Sequence, residues 1–220
     1  MFGGSRSTAE SHAVNTASHK RSAFWLCRFS RLSSRRTIAR TVVANFDRKM
    51  EYRTFETERL LLQPTSEKDA DLIFELLNSP KWIKYIGDRN ITSVQKAKEY
   101  ILEKMIPQLE RLGFSNYTLI RKLDGKKIGT CGLYDRDGLD GIDIGFAFLP
   151  EFEKKGYAFE ASTRIRNAAF NEFGFNSISA ITTKDNFDSQ RLLEKLGFEK
   201  VGVTKLPKEK VELLVYKIEK

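Results

Sequence analysis

One segment, residues 141–173, constrains the fold of this chain more than any other. Its first part alternates apolar with small or polar side chains, as a β-strand does. The apolar members are Ile142, Ile144, Phe146 and Phe148. Gly145 lies in the middle of this strand, where glycine often marks a bulge or the close approach of another group. Pro150 ends the strand, because proline has no N–H to donate to a sheet.

A short basic loop and a helix follow this strand. Lys154, Lys155 and Gly156 precede an apolar stripe at helical spacing, which predicts a helix that closes near Gly174. The stripe consists of Ala158, Ala161, Ile165, Ala168 and Phe173. N–H groups at a helix start lack partners and carry partial positive charge, so the loop is a candidate site for a phosphate-bearing ligand. A tight turn with solvated lysines explains the same pattern, and both interpretations stay open here.

The positive charge is concentrated at one end of the chain. The net charge is +9, but residues 1–49 contain ten basic and two acidic side chains and so carry +8. Residues 50–220 are therefore nearly neutral, and bulk nucleic-acid binding by this part is not expected. Hydrophobic residues make up 40% of 220 residues, which suits one domain with a substantial core. No apolar run reaches the roughly 18 residues that a membrane span needs.

Cysteine and histidine usage excludes several chemistries. Cys27 and Cys131 are the two cysteines, so residues 50–220 cannot form an internal disulfide, and a reducing compartment such as the cytoplasm fits. His12 and His19 are the two histidines. A Ser-His-Asp triad, a Cys-His pair and a histidine-ligated metal are therefore excluded from residues 50–220.

Residues 1–49 are expected to be a basic, disordered leader rather than part of the fold. The segment is rich in Ser, Arg and Ala and poor in acids, which resembles an organellar transit peptide. Two alternatives are a start assigned too far upstream, with Met50 as the first residue, and a leader added for expression.

The remaining elements follow from periodicity, caps and turn residues. They are strand 58–64, helix 65–77, helix 94–112, strands 114–122, 127–134 and 141–150, helix 157–173, strand 177–183, helix 187–196, and strands 198–204 and 211–218. Asn78-Ser79-Pro80 is interpreted as a break, and Pro107 is expected to kink the long helix. Three consecutive strands favour antiparallel pairing, whereas the strand–helix–strand crossing favours one parallel step. The prediction is an α+β fold with a mixed, mostly antiparallel sheet.

This pattern resembles the GNAT superfamily of N-acetyltransferases, and in particular the branch of the ribosomal-protein-alanine acetyltransferases. The similar segments extend over about 160 positions. Their order and spacing agree with the family, as do their residue types. They are 57–62, Ile128-Gly129 with Gly132-Leu133, 144–148, Lys155-Gly-Tyr-Ala158 with Glu160-Ala161, and Asn186 with Ser189 and Leu196-Gly-Phe198. One departure is Glu153, which stands where the family usually has Gln or Arg. A second is Lys154, where the related branch often has glycine.

The resemblance implies splayed central strands with acetyl-CoA as co-substrate between them and no metal. Its pantetheine would pair with the backbone of residues 146–148, and its pyrophosphate would lie on N–H groups of residues 153–158. The cofactor-binding residues implied are Phe146, Ala147, Phe148, Lys154, Lys155, Gly156, Tyr157, Ala158 and Asn186. Trp82 and Tyr85 are candidates for the acceptor cleft, although core packing also explains them.

The candidate catalytic residues are Ser189 and Asp143. Ser189 matches the position that serves as proton donor to the leaving thiolate in some members of the family, whereas Asp143 is a candidate base. Capping of the helix at 187–196 is the alternative role for both Ser189 and Asn186. Asp143, Glu160 and Glu212 are all candidate bases, and the sequence singles out none of them. Because no histidine is available, an acceptor amine of low pKa is favoured over lysine.

The expected activity is therefore acetyl transfer from acetyl-CoA to a primary amine, on a protein N-terminus or a small molecule. A CoA-binding sensor without transferase activity is the alternative. The protein is expected to be a cytoplasmic monomer or homodimer without membrane or nucleic-acid partners, or organellar if residues 1–49 are a transit peptide.

Overall fold

A single open β-sheet forms the frame of the described part of the chain. The structure is a computed structural model that describes residues 52–207 and 211–220. The predicted leader, residues 1–49, lies outside the described residues. Eight strands are arranged in the order β1-β2-β3-β4-β5-β6-β8-β7. They are β1 (Phe55–Glu56), β2 (Leu60–Pro64), β3 (Asn116–Arg121), β4 (Lys127–Asp135), β5 (Ile142–Phe148), β6 (Ser177–Thr183), β7 (Glu199–Thr204) and β8 (Leu213–Glu219).

Six α-helices connect and cover these strands. They are α1 (Ala70–Leu77), α2 (Pro80–Tyr85), α3 (Val94–Tyr100), α4 (Ile106–Leu112), α5 (Tyr157–Asn171) and α6 (Phe187–Lys195). The expected break at Asn78-Ser79-Pro80 ends α1 after Leu77, and the same segment also starts α2, a helix that the sequence did not predict. Ser79 caps α2 by accepting a hydrogen bond from the Trp82 N–H, and Pro80 takes the first helical position, where its missing N–H costs nothing.

The long helix expected at 94–112 is divided rather than simply kinked. Residues Ile101–Met105 form a π-helical turn between α3 and α4, in which the Ile106 N–H donates to the Ile101 carbonyl five residues earlier. Pro107 follows at once and cannot donate an N–H, so the widened turn accommodates the proline ring.

The sheet is antiparallel except at one place, so the expected α+β mixed sheet is confirmed. β5 and β6 run parallel, and α5 makes the crossover between them. Among the described strands, the register of this pair comprises one match, Asp143 with Ser179. Beyond this match the two strands diverge, which confirms the expected splayed central strands.

The two faces of the sheet carry different layers. On one face α5 packs closely, because its alanines are small: Ala161, Ala168 and Ala169 are fully buried. The Cys131 Sγ of β4 lies 3.7 Å from the Ser162 Oγ of this helix. On the other face α4 is tied to the sheet, since the Gln108 amide donates to the Leu133 carbonyl at 2.8 Å.

Within the described residues, no helix is long and apolar enough to cross a membrane.

Candidate active site

The divergence of β5 from β6 leaves free backbone groups in the middle of the sheet. The Leu149 N–H donates to the Ile128 carbonyl at 3.0 Å, so the odd-numbered residues at this end of β5 bond to β4. Backbone groups alternate along a strand. The N–H and C=O of Phe146 and Phe148 therefore point toward β6, which has already moved away. This edge can accept an added extended chain.

The loop between β5 and α5 is shaped around positive backbone dihedral angles. Gly156 has φ of 83°, and Lys154 has φ of 56°, an unusual value for a residue with a side chain. The related branch often has glycine where Lys154 stands, and this conformation gives the reason. No acceptor is recorded within the described residues for the backbone N–H groups of residues 154–159. These groups and the positive end of α5 form an anion-binding arrangement.

Arg59 and Glu160, on segments about a hundred residues apart, hold this loop in place. Arg59 donates from Nη1 to the Lys155 carbonyl at 3.0 Å, and its guanidinium lies over the Tyr157 ring at 4.5 Å. Its Nε donates to the Glu160 carboxylate at 2.7 Å. The sequence pattern named Glu160 as a candidate base, but the structure surrounds it with donors, including the Thr57 hydroxyl at 2.6 Å. Arg59 belongs to the segment 57–62 that carries the resemblance, but nothing in the sequence indicated its contact with this loop.

Glu153, the acidic residue of the loop before α5, is turned toward a lysine of α2. Its carboxylate accepts a short hydrogen bond from Lys81 Nζ. Lys81 also lies 3.5 Å from the Asp188 carboxylate on α6. The hydrogen bond with Glu153 raises the pKa of Lys81, so this lysine stays charged at neutral pH. Lys81 therefore links the loop before α5 to the first turn of α6, across the opening between β5 and β6.

Asn186 and Ser189 meet at the start of α6. The Asn186 side chain accepts a hydrogen bond from the Ser189 N–H at 3.2 Å and so caps the helix. Both side chains are partly exposed. The bond uses the backbone of Ser189, and its hydroxyl has no recorded partner in the described residues. Arg191 is exposed and pairs with Asp188 at 2.6 Å.

Asp143 is fully buried beside Arg136, which lies in the connection between β4 and β5. Arg136 Nε lies 2.8 and 3.0 Å from the two carboxylate oxygens of Asp143. Burial raises the pKa of Asp143, and the guanidinium opposes that shift. The guanidinium also lies 4.8 Å from the centre of the Tyr134 ring. This ring covers Gly145, where an added Cβ would lie 3.0 Å from it, so the glycine marks a close approach and not a bulge.

Trp82 and Tyr85, the residues predicted for the acceptor cleft, both lie on α2. Trp82 packs partly buried against the core, and its indole Nε1 is buried without a hydrogen-bond partner. The Tyr85 hydroxyl accepts a hydrogen bond from Lys84 at 3.1 Å. α2 thus carries both of these aromatic residues and also Lys81, which contacts Glu153 in the loop before α5.

The other residues named from the sequence differ in their burial and in their partners. Phe146, Ala147 and Phe148 line the free edge of β5 and are half-buried. Lys154 and Lys155 are exposed, whereas Tyr157 is buried at the start of α5, with Ala158 beside it. Glu212 is exposed and pairs with Lys184 at 2.8 Å. Among the described side chains, no group of three His, Cys, Asp or Glu is arranged to hold a metal ion.

Solved structures share this architecture. A GNAT-family acetyltransferase from Bacillus anthracis superposes with a TM-score of 0.63 at 24% identity, covering 76% of this chain and 98% of that one. The ribosomal-protein-S5-alanine acetyltransferase from Vibrio fischeri gives 0.63 at 19% identity, covering 76% of this chain and 96% of that one. At these identities the likeness establishes the fold.

Sequence comparison establishes the family. The chain is 30% identical over 149 residues to the uncharacterized N-acetyltransferase YoaA of Bacillus subtilis, covering 67% of this chain and 84% of that protein. It is 32% identical over 152 residues to the uncharacterized N-acetyltransferase p20 of Bacillus licheniformis, covering 68% and 84%. The model of the acetyltransferase (GNAT) domain matches residues 59–199. The chain therefore belongs to the GNAT family of N-acetyltransferases.

Proposed function

We propose that this protein transfers an acetyl group directly from acetyl-CoA to a primary amine, and that residues 50–220 form the catalytic domain. The observation that carries the proposal is the opening between β5 and β6, where one register match precedes a free strand edge. The anion-binding loop at residues 154–159 lies at the end of the same strand. A ligand with a phosphate group and an extended amide chain fits both features together.

The residues at this opening suit acetyl-CoA part by part. N–H groups of residues 154–159 and the charge of Lys155 would hold the diphosphate. The backbone of Phe146 and Phe148 would pair with the amides of the pantetheine, in the manner of an added strand. Asn186 would contact the same chain from α6. When bound, acetyl-CoA supplies the acetyl group as a thioester.

The side chains around the opening favour an acceptor amine of low pKa. An α-amine with a pKa near 8 is about one-tenth neutral at pH 7, whereas a lysine near 10.4 is neutral at below about one part in a thousand. Glu160 and Glu212 are engaged with Arg59 and Lys184. Asp143 is buried against Arg136. We therefore propose a protein N-terminus or a small-molecule amine of similar pKa as acceptor.

Ser189 is the residue that we propose as proton donor to the departing thiolate. Its hydroxyl is free of the α6 cap, which uses its N–H instead. A thiol pKa near 8.5 makes the thiolate a tolerable leaving group, so a donor contributes but is not indispensable.

A panel of amines with acetyl-CoA tests the proposal. Release of free thiol would be followed with N-terminal peptides, free amino acids, polyamines and aminoglycosides. Turnover that is fastest with an α-amine supports the proposal, and faster turnover with polyamines or free lysine side chains contradicts its acceptor class. Thermal stabilisation by CoA without turnover on any amine would instead support a sensor role.

We further propose a monomer or homodimer in the cytoplasm, or in an organelle if residues 1–49 direct it there.

A further inference from the structure

Arg136 has hydrogen-bonding capacity that the protein itself does not use. Its Nε is committed to both oxygens of Asp143, at 2.8 and 3.0 Å. Its face lies against the Tyr134 ring. Within the described residues, neither Nη1 nor Nη2 of Arg136 has a recorded acceptor. The side chain is 35% exposed while that of Asp143 is fully buried, so the terminal nitrogens form the accessible end of a fixed group.

The position of this end relative to the opening follows from the strand register. Gly145 pairs with Gly132, and Phe146 pairs with Cys131. Paired residues share a face, so Phe146 lies on the α5 side with Cys131, and Gly145 lies on the opposite side. An added Cβ at Gly145 would lie 3.6 Å from Arg136 Nη2. The free guanidinium nitrogens therefore stand over β5 one residue before the free edge begins.

Arg136 lies on the face of β5 opposite α5. α5 fills its own side, where Ala161 and Ile165 are fully buried. On the other side, the Tyr134 ring covers Gly145, and Arg136 Nη2 lies beside the same position. An acceptor that reaches the free edge at Phe146 from this side comes close to the guanidinium.

From this geometry we propose that Arg136 binds a carboxylate of the acceptor, so that the preferred substrates are amines bearing a carboxylate close to the reacting nitrogen. The inference rests on the function proposed above and narrows its acceptor class. A guanidinium presents paired N–H groups in a planar fork that matches a carboxylate. Asp143 acts as a positioning residue, because its hold on Nε fixes the direction of the two terminal nitrogens. The carboxylate comes from a free amino acid or from an acidic residue at a peptide N-terminus.

The test compares matched acceptors with and without the negative charge. Free Ala and its α-amide form one pair, and peptides that begin with Asp or with Asn form the other. For the wild type we expect kcat/KM to be at least about 10-fold higher for the charged member of one pair, as a hydrogen bond between charged groups gives. Which pair shows the preference distinguishes the free amino acid from the acidic peptide.

Variants at Arg136 assign the preference to this residue. Arg136→Gln should lower kcat/KM for the charged acceptor by about 10- to 100-fold, mainly through KM, and leave the neutral acceptor within about 2-fold. Arg136→Lys should fall between, because it keeps the charge and loses the fork. Arg111→Gln is the matched control, since Arg111 pairs with exposed Asp135 at the same end of β4. It should change neither acceptor.

Asp143→Asn separates positioning from structural damage. It should reduce the preference for the charged acceptor while CoA affinity stays within about 2-fold. If Arg136→Gln proves too unstable because it leaves a buried carboxylate unpaired, the double variant Arg136→Gln/Asp143→Asn provides the same test. Equal turnover of charged and neutral acceptors by the wild type, or an equal loss on both in the variants, would overturn this inference alone. Absence of thiol release with every acceptor would overturn the proposed function together with it.

Discussion

Arg59 Nε lies 2.7 Å from the Glu160 carboxylate, and this contact joins the residues before β2 to the first turn of α5. Glu160 also accepts from the Arg59 N–H at 2.8 Å and from the Thr57 hydroxyl at 2.6 Å. Arg59 then reaches on to the Lys155 carbonyl. The shape of the anion-binding loop thus depends on a carboxylate that lies outside it.

Glu160→Gln should destabilise the fold by about 1–3 kcal/mol, because charge-assisted hydrogen bonds are lost in a partly buried place. Burial alone would raise the pKa of Glu160, but the bonds from Thr57 and Arg59 outweigh it and lower the pKa. The carboxylate therefore stabilises the fold fully above its unfolded pKa of about 4.3, and this contribution disappears as the pH falls through the lower, folded value. Urea unfolding from pH 7 to pH 3 should show this loss in the wild type and not in the variant. Glu110→Gln, on the exposed side of α4, should match the wild type.

Lys81 should influence cofactor affinity although it belongs to α2. In Lys81→Met, Glu153 loses its partner and faces the phosphates, so we expect the Kd for acetyl-CoA to rise by about 3- to 10-fold. Glu153→Gln removes the repulsion and should lower Kd by about 2- to 5-fold. Calorimetry at two salt concentrations measures both, and 1 M salt should reduce both effects. Lys98→Met serves as the control, because Lys98 lies on α3 and pairs with Glu67, just before α1. Unchanged affinity in both loop variants would contradict the prediction.

Gly156→Ala should weaken cofactor binding by more than its effect on stability explains. An added Cβ at Gly156 lies 3.2 Å from Arg59 Nη2, and φ is +83°. We expect a loss of about 1–2 kcal/mol in the free energy of unfolding from the left-handed conformation. Gly174→Ala is a matched control, because its φ is +77° and nothing lies within 4 Å. It should cost similar stability and leave the Kd for acetyl-CoA unchanged. Equal Kd values in the two variants would show that the loop does not bind the phosphates.

Variants at the start of α6 distinguish helix capping from catalysis, two roles that the sequence left open for Asn186 and Ser189. Asn186→Ala removes the side chain that accepts from the Ser189 N–H, and should cost about 1 kcal/mol of stability. Ser189→Ala keeps that N–H, so its melting temperature should stay close to that of the wild type. If the Ser189 hydroxyl donates the proton, kcat should fall by about 100-fold, with a smaller loss for thioesters of more acidic thiols. Unchanged kcat in Ser189→Ala would show that Ser189 does not donate the proton.

The sequence predicted the elements whose signals are local, and missed those that depend on distant partners. The alternation at 142–148 and the alanine stripe after Gly156 are local, and the structure contains both the strand and the helix. α2 was missed because Pro80 was interpreted as a breaker, although Ser79 followed by proline is also a regular helix start. The π turn could not be predicted, since proline signals a disturbance without specifying how the helix absorbs it.

The candidate site divides in the same way. The loop at residues 154–158 follows from glycine spacing and could be named from the sequence. The pairs of Arg59 with Glu160, Lys81 with Glu153 and Arg136 with Asp143 could not, because each depends on how the segments fold together. Arg136 lies between the predicted strands 127–134 and 141–150, and only the return of the chain after β4 brings it next to Asp143.

The single match between Asp143 and Ser179 has a mechanical consequence. Among the described strands, β1 to β5 form one antiparallel ladder and β6, β8 and β7 form another, and one register match joins the two ladders. An extended molecule bound in the gap would hydrogen-bond to the free edge of β5 and connect the two ladders. Binding and release of such a molecule should therefore change how freely the two ladders move relative to each other. Amide hydrogen exchange should change in β6 more than in β3.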